Sequence, residues 1–434
     1  MEPKDISQVF QYTNKGFSID GVLLRDIMSE LDSPAYIYAD SIVRRQFSKL
    51  RDNLPPRVEI CYAVKANPSL AMMQILKNCG TGFEVASFGE LIATERVGAD
   101  PSKIVFAGPG KNYWDLSTAI EKEVASINVE SYGVNSELFR VSNLACKIHK
   151  RANVSLRINP DYKIKGAAVT MTGEPTQFGI EESALEKAVE GVRWLRAINL
   201  KGIHVFAATN MTDHESFMGN LENSFKLAER MNRICPVTMI DIGSGISIRY
   251  KDGDAEFPVE GLGKKINEMM DKYPFIKNNN ARIILEPGRY LVGESGVYVA
   301  RVEDVKNSRG KKYVVLDGGI NHMLRPALID SSEHQAFNLS RNSGARTNVD
   351  VVGPLCTSLD VLAKDASLDR DTQSGDYIGV FCAGAYGFTE SMPNFLSHDS
   401  AAEVLVHNGK FDIIRPGIKV EEIFENQVIP GELC

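Results

Sequence analysis

The stretch Val58-Glu-Ile-Cys-Tyr-Ala-Val-Lys-Ala-Asn-Pro68 runs apolar and β-branched, delivers one lysine, Lys65, and stops at a proline. A short apolar run bounded in this way reads as a buried strand. Desolvating an ammonium directly behind such a strand costs on the order of several kcal/mol unless the lysine gains a partner. The other escape is a lowered pKa, which makes the amine a nucleophile toward carbonyls. A lone lysine at a strand end more often snorkels to solvent, so the reading of Lys65 depends on its surroundings.

Similar segments recur outward from this one, at residues 82–85, 104–107, 126–129, 153–158, 202–206, 238–242 and 282–285. Helical periodicity fills the intervals, as at residues 70–77 and 184–195. Strands alternating with helices in this number predict an α/β fold built on a (β/α)8 TIM barrel, although an open doubly wound sheet also alternates. Just past the strands stand Lys65, Glu84, Lys111, Glu130, Asn159, Thr209, Gly243-Ser244-Gly245 and Glu286-Pro-Gly288-Arg289. Each alone reads as a turn or cap; in a barrel they converge on one rim, where active sites are built.

Beyond residue 292 the texture changes. Residues 298–302, 312–316, 347–352, 377–383, 402–407 and 411–414 run apolar or alternate, without long helices between them. Asn408-Gly409 joins the last two as a tight hairpin. Residues 330–346, rich in Ser and Asn, read as a surface loop. Near the start, residues 16–19 read as a strand and 21–31 as a helix. The expected organisation is an N-terminal segment, 1–35, packing with a C-terminal all-β barrel domain, 292–434, around a barrel at 36–291. At 434 residues the chain exceeds a single core's usual size.

Composition excludes several classes of function. A net charge of −7 offers no basic face for nucleic acid and little attraction to anionic lipid. No window holds the roughly 18 apolar residues of a membrane span, and the first residues lack a signal-peptide pattern. The seven cysteines (61, 79, 146, 235, 356, 382 and 434) are odd in number and unclustered, against a disulfide framework or a zinc site. A cytoplasmic enzyme without a structural metal is the expectation.

Glycine groups at strand ends present backbone N–H donors to anions. Gly243-Ser244-Gly245 would be weak evidence alone, but Gly288-Arg289 one strand later makes a phosphate cradle, as barrels build after their last two strands. Glu286 beside it can hold a proton on a pyridine nitrogen. A carbonyl-reactive lysine, a pyridine-nitrogen acid and a phosphate cradle together specify pyridoxal 5'-phosphate.

With these residues in place, the chain resembles the fold-type III pyridoxal-phosphate decarboxylases, the diaminopimelate and ornithine decarboxylase family, over nearly its whole length. The resemblance is carried in order by Tyr62-Ala-Val-Lys-Ala-Asn67, Phe83-Glu-Val-Ala-Ser-Phe-Gly-Glu90, Gly202-Ile-His204, Glu286-Pro-Gly-Arg289, Asp317-Gly-Gly319, Gly353-Pro-Leu-Cys356 and Gly384-Ala-Tyr386. It implies that Lys65 is the Schiff-base lysine and Glu286 the pyridine-nitrogen partner. Gly243, Ser244, Gly245, Gly288, Arg289 and Tyr386 are then phosphate-side ligands, with Thr209 also at the cofactor. Cys356 is implied to be the cysteine lent by the other subunit of a head-to-tail homodimer, protonating the carbanion after carbon dioxide leaves. Arg289, Arg325, Thr357 and Asp360 are expected at the substrate.

The chain also departs from the family. A histidine usually stacks on the cofactor ring where this chain has Phe206, and His204, two residues earlier, is expected to be structural or to support the site from behind. Diaminopimelate decarboxylases carry Cys-Glu-Ser where this chain has Cys356-Thr-Ser358. The missing carboxylate removes a charge-assisted hydrogen bond of roughly 1.5–3 kcal/mol. With residues 107–111 and 167–180, that change is similar to a natural-product branch acting on conjugated amino acids, such as citryl-diaminopropionate in siderophore assembly or carrier-protein-tethered glutamyl. The expected activity is therefore decarboxylation of a conjugated amino acid, with free diaminopimelate, lysine or ornithine as the alternative. Arg325 or the loop 159–177 would meet the distal part. A racemase would carry a tyrosine in place of Cys356, and a non-catalytic regulator would have lost the cofactor residues.

Overall fold

The computed structural model describes residues 8–162, 169–170, 175–206, 208–251, 253–329, 331 and 334–433. The chain divides into two compact units, one of residues 44–248 and 255–291, the other of residues 1–43, 249–254 and 292–434.

The first unit is an eight-stranded parallel barrel. Its strands are β1 (Val58–Ala63), β2 (Gly82–Val85), β3 (Ile104–Phe106), β4 (Ser126–Val129), β5 (Ala152–Asn159), β6 (Ile198–His204), β7 (Met239–Asp241) and β8 (Arg282–Leu285). Each pairs in parallel with the next, and β8 closes on β1 through Ile283–Val58 and Leu285–Ile60. Strands covered on both faces need apolar residues at nearly every position, which is why they read as unbroken runs. Cys61, Val105, Ala125, Met239 and Ile284 form a buried cluster. Between strands, helices such as Leu70–Cys79 and Phe88–Arg96 follow the expected period; the second starts at an Ser87 cap that accepts the Glu90 N–H. The helix expected at 184–195 is shorter, Leu185–Val192, behind a 3-10 turn at Glu182–Ala184.

In the second unit, a β-sheet runs through Val361–Asp369, Arg346–Val352, Lys311–Leu316, Gly296–Ser308, Ala35–Ala39, Ala402–His407 and Lys410–Arg415. Tyr377–Phe381 adds to Gly296–Ser308, and Ala336–Asn338 adds to Tyr377–Phe381. Asn408 and Gly409 both take positive φ, 51° and 72°, as the two central residues of a hairpin turn require. Ala35–Ala39 lies between Gly296–Ser308 and Ala402–His407, so the N-terminal contribution runs past residue 35, to residue 43. The expected helix at 21–31 is instead a short strand, Val22–Leu23, followed by one turn of helix, Leu24–Met28. The strand Ala336–Asn338 lies where a loop was expected; Asp330, Ser332 and Glu333 in that region lie outside the described residues. Among the described residues no helix is long and apolar enough to cross a membrane.

Candidate active site

β1 stops at Ala63, and the chain turns through a 3-10 helix, Val64–Ala66, that carries Lys65. Of the outcomes open to a lysine behind a buried strand, this one gains a partner. Its side chain is 40% exposed, and its Nζ lies 2.5 Å from Oε2 of the buried Glu84 at the end of β2. The strand end brings it to the rim, where a buried carboxylate partners it.

Glu286 follows β8 and is buried. Its Oε2 stands 3.5 Å from His204 Nε2 at the end of β6, and its Oε1 is buried without a hydrogen-bond partner among the described residues. Burial opposes its ionisation, but the neighbouring His204 and the Lys65 charge carry its carboxyl below the usual range. A carboxylate held ionised in a dry site with one oxygen unsatisfied calls for a cationic N–H. Asp241, at the end of β7, was not among the expected site residues. Its only signal was an aspartate closing an apolar strand.

Two glycines sit where a side chain would be crowded. A Cβ on Gly243 would come within 2.6 Å of the Phe206 ring, and its φ is +61°. On Gly288 it would meet Ala66 and Ala63 Cβ atoms at 3.0 and 3.1 Å. Gly245 also has positive φ, 74°, and its carbonyl accepts the Met211 N–H. Ser244 is buried, its Oγ accepting the Ile246 N–H at 3.4 Å. Arg289 is buried at the start of the short helix Arg289–Val292. Phe206 is half-buried, its ring against Gly243. Thr209 lies in a strand paired with Val169–Thr170, its side chain outside the described residues, as is Ala207.

Lys111, counted with the rim residues, is a structural tie. It is fully buried and bonds to Glu137 and to the carbonyls of Gly108 and Asn128. Glu130 binds Arg157 at 2.7 Å and the N–H groups of Gly108 and Gly179. Residues 163–168 and 171–174, within the loop expected to meet the distal part of a substrate, lie outside the described residues.

In the second unit Cys356 is exposed and Thr357 half-buried. Asp360, expected at a substrate amine, is buried and turned to its own loop. Its Oδ1 accepts the Ile320 N–H at 2.8 Å and its Oδ2 the Leu355 N–H at 2.7 Å. Gly319 and Gly353 pack so closely on this carboxylate that a Cβ on either would clash with it. Asp360 therefore holds the loop that carries Cys356. Arg325 is 8% exposed, with its guanidinium 5.4 Å from the Tyr386 ring centroid and Nη1 3.5 Å from Glu390.

A barrel rim with a lysine–carboxylate pair, a glycine cradle and a buried anion short of a donor defines a class of enzyme that works through a pyridine-ring cofactor. The chain belongs to the pyridoxal-dependent decarboxylases: residues 40–293 match the family's pyridoxal-binding domain. It is 30% identical to a diaminopimelate decarboxylase of Aquifex aeolicus, over 97% of this chain and 98% of the relative. It is 29% identical to an L-glutamyl-[BtrI acyl-carrier protein] decarboxylase of Niallia circulans, over 95% of this chain and 97% of that one. The crystal structure of diaminopimelate decarboxylase from M. jannaschii with L-lysine superposes with a TM-score of 0.89 at 25% identity, covering 99% of this chain and 100% of that chain. The protein is thus a carboxy-lyase acting on amino acids with pyridoxal phosphate, and the unsatisfied Glu286 Oε1 and the glycine cradle fit that cofactor.

Proposed function

We propose that the protein removes the α-carboxylate of an amino acid whose far end carries a second carboxylate, diaminopimelate being the reading its relatives support best. Arg325 carries this proposal. Its Nε is buried without a hydrogen-bond partner among the described residues, and its contact to Glu390 is long. A buried guanidinium with no close counter-ion among the described residues is costly, and a ligand carboxylate satisfies it in a two-pronged bond. Lysine and ornithine offer no such group.

When bound, pyridoxal phosphate supplies the electron sink for the pair left behind by carbon dioxide. Lys65 holds the cofactor, and Glu286 keeps a proton on its ring nitrogen. Gly243, Ser244, Gly245, Gly288 and Arg289 take the phosphate with Tyr386, while Phe206 lies against the ring and Thr209 beside it. Arg289 also reaches the substrate. Cys356, exposed in the single chain, protonates the carbon in a site shared by two copies of a cytoplasmic homodimer.

A second reading, an amino acid conjugated at its far end, is favoured by Thr357. It stands where diaminopimelate enzymes place a glutamate, and the relative named for a carrier-bound glutamyl matches 95% of this chain. A citryl conjugate in siderophore assembly would still offer Arg325 a carboxylate. Carbon dioxide release separates the readings, measured on diaminopimelate, lysine, ornithine, a citryl-diaminopropionate conjugate and a carrier-tethered glutamyl. Turnover of diaminopimelate supports the first reading; turnover of a conjugate alone replaces it with the second. Turnover of lysine as fast as diaminopimelate removes the role given to Arg325.

A further inference from the structure

Asp241, the last residue of β7, lies close to Glu286, which follows β8. It is fully buried, and one side-chain nitrogen or oxygen from each of His204, Asp241 and Glu286 lies within 4.8 Å of the others. Asp241 Oδ1 accepts the Gly243 N–H at 3.2 Å, and Oδ2 accepts the Asn128 amide at 3.4 Å. Both bonds are long for a charged carboxylate, whose partners sit at about 2.7–2.9 Å. Asn128 is in turn tied to the hydroxyl of Ser126, 3.1 Å away.

Two carboxyl groups this close in a dry site do not both ionise. Burial first, and the neighbouring Glu286 charge second, push the Asp241 carboxyl well above the usual range, with Glu84 adding to the effect. His204 and Lys65 pull Glu286 the other way. The Cys61 thiol is itself driven up by burial and by Asp241.

We propose that Asp241 is a positioning residue: it stays a neutral acid and hydrogen-bonds its proton to Glu286, leaving Glu286 the ionised member that faces the cofactor's ring nitrogen. This rests on the reading of Glu286 as that nitrogen's partner. A donor behind Glu286 lowers its basicity, so the shared proton remains on the ring nitrogen. Without the donor, the proton moves toward Glu286.

The test is the ¹⁵N chemical shift of holoenzyme loaded with pyridoxal phosphate labelled at the ring nitrogen, which reports that atom's protonation independently of turnover. Asp241→Asn, which keeps a neutral donor, is expected to leave the shift at the wild-type, protonated position. Asp241→Leu, with Asp241→Ala in its place if leucine prevents folding, is expected to move it toward the unprotonated position, as does Glu286→Gln. An apolar variant with the wild-type shift overturns the inference. So does Asp241→Asn moving as far as Glu286→Gln, because Asp241 would then act as an anion. If Glu286→Gln itself leaves the shift unchanged, the reading of Glu286 has failed and the inference falls with it.

Discussion

Buried carboxyl groups that tie the β unit together differ from the pair that meets at the end of the barrel's last strands, although elsewhere in the barrel Glu130 and Glu137 are satisfied too. In the β unit, Asp376 accepts from Arg341, Asn338 and the Gln373 N–H, and Glu403 binds Tyr38 and Arg415. Asp360 closes on two backbone N–H groups. In the barrel unit, Glu286 and Asp241 lie together, and Glu286 keeps one oxygen without a partner among the described residues. Satisfied polar groups hold a fold, whereas an unsatisfied one asks for a ligand. Arg325 is the β unit's counterpart to Glu286, and it is the residue the substrate proposal rests on.

The sharpest way to break this contrast is Lys65→Ala. Carbon dioxide release should fall on the order of 10³-fold or more, because a nucleophile is lost, and the urea midpoint should drop as well, since the buried Glu84 is left without its ammonium. A variant that keeps most of its carbon dioxide release would take Lys65 out of the chemistry.

The units should also answer pH in opposite directions. Burial lowers His322, in the β unit, from 6.5 to about 4. Between those values the unfolded chain binds the extra proton, so stability falls as pH drops from 6.5 to 4, by about 3 kcal/mol at most. Glu90, in the barrel unit, is raised by burial from 4.5 to about 7, so its contribution is present below 4.5 and lost as pH rises through 7. Denaturation across this range should show His322→Asn losing the acid-side fall and Glu90→Gln losing the opposing trend. Parallel profiles for wild type and His322→Asn would contradict the assignment.

Asp376→Asn should lower stability by about 1–3 kcal/mol, read from urea denaturation, since it leaves Arg341 and the buried donors short of a charged acceptor. Turnover per folded molecule should hold. The smallest effect belongs to Arg325→Met: KM for a carboxylate-ended substrate should rise about tenfold, with kcat little moved, while any residual lysine turnover stays the same. Equal losses on both substrates would detach Arg325 from the distal end.

Much of the barrel was legible because parallel strands covered on both faces leave uninterrupted apolar runs; residues 58–63, 82–85, 126–129 and 282–285 are strands at those bounds. The β unit was harder. Val361–Asp369 escaped notice because it carries Lys364, Asp365 and Ser367 amid its apolar positions, and its pairing with Arg346–Val352 shifts register there. Of the site, the rim residues could be found from where strands end. The meeting of His204, Asp241 and Glu286 could not, since the parallel register that sets His204 opposite Asp241, with Glu286 just past β8, leaves no local mark in the sequence. The turn of Asp360 toward its own loop was equally hidden, because an aspartate looks the same in sequence whether it faces a ligand or a backbone N–H.

The measurement that tests the account most directly is borohydride reduction of the holoenzyme, followed by digestion and mass spectrometry of the labelled peptide. The account predicts one pyridoxyl group per chain, on Lys65. A label on any other lysine, or no label on a chain that still releases carbon dioxide, would contradict it.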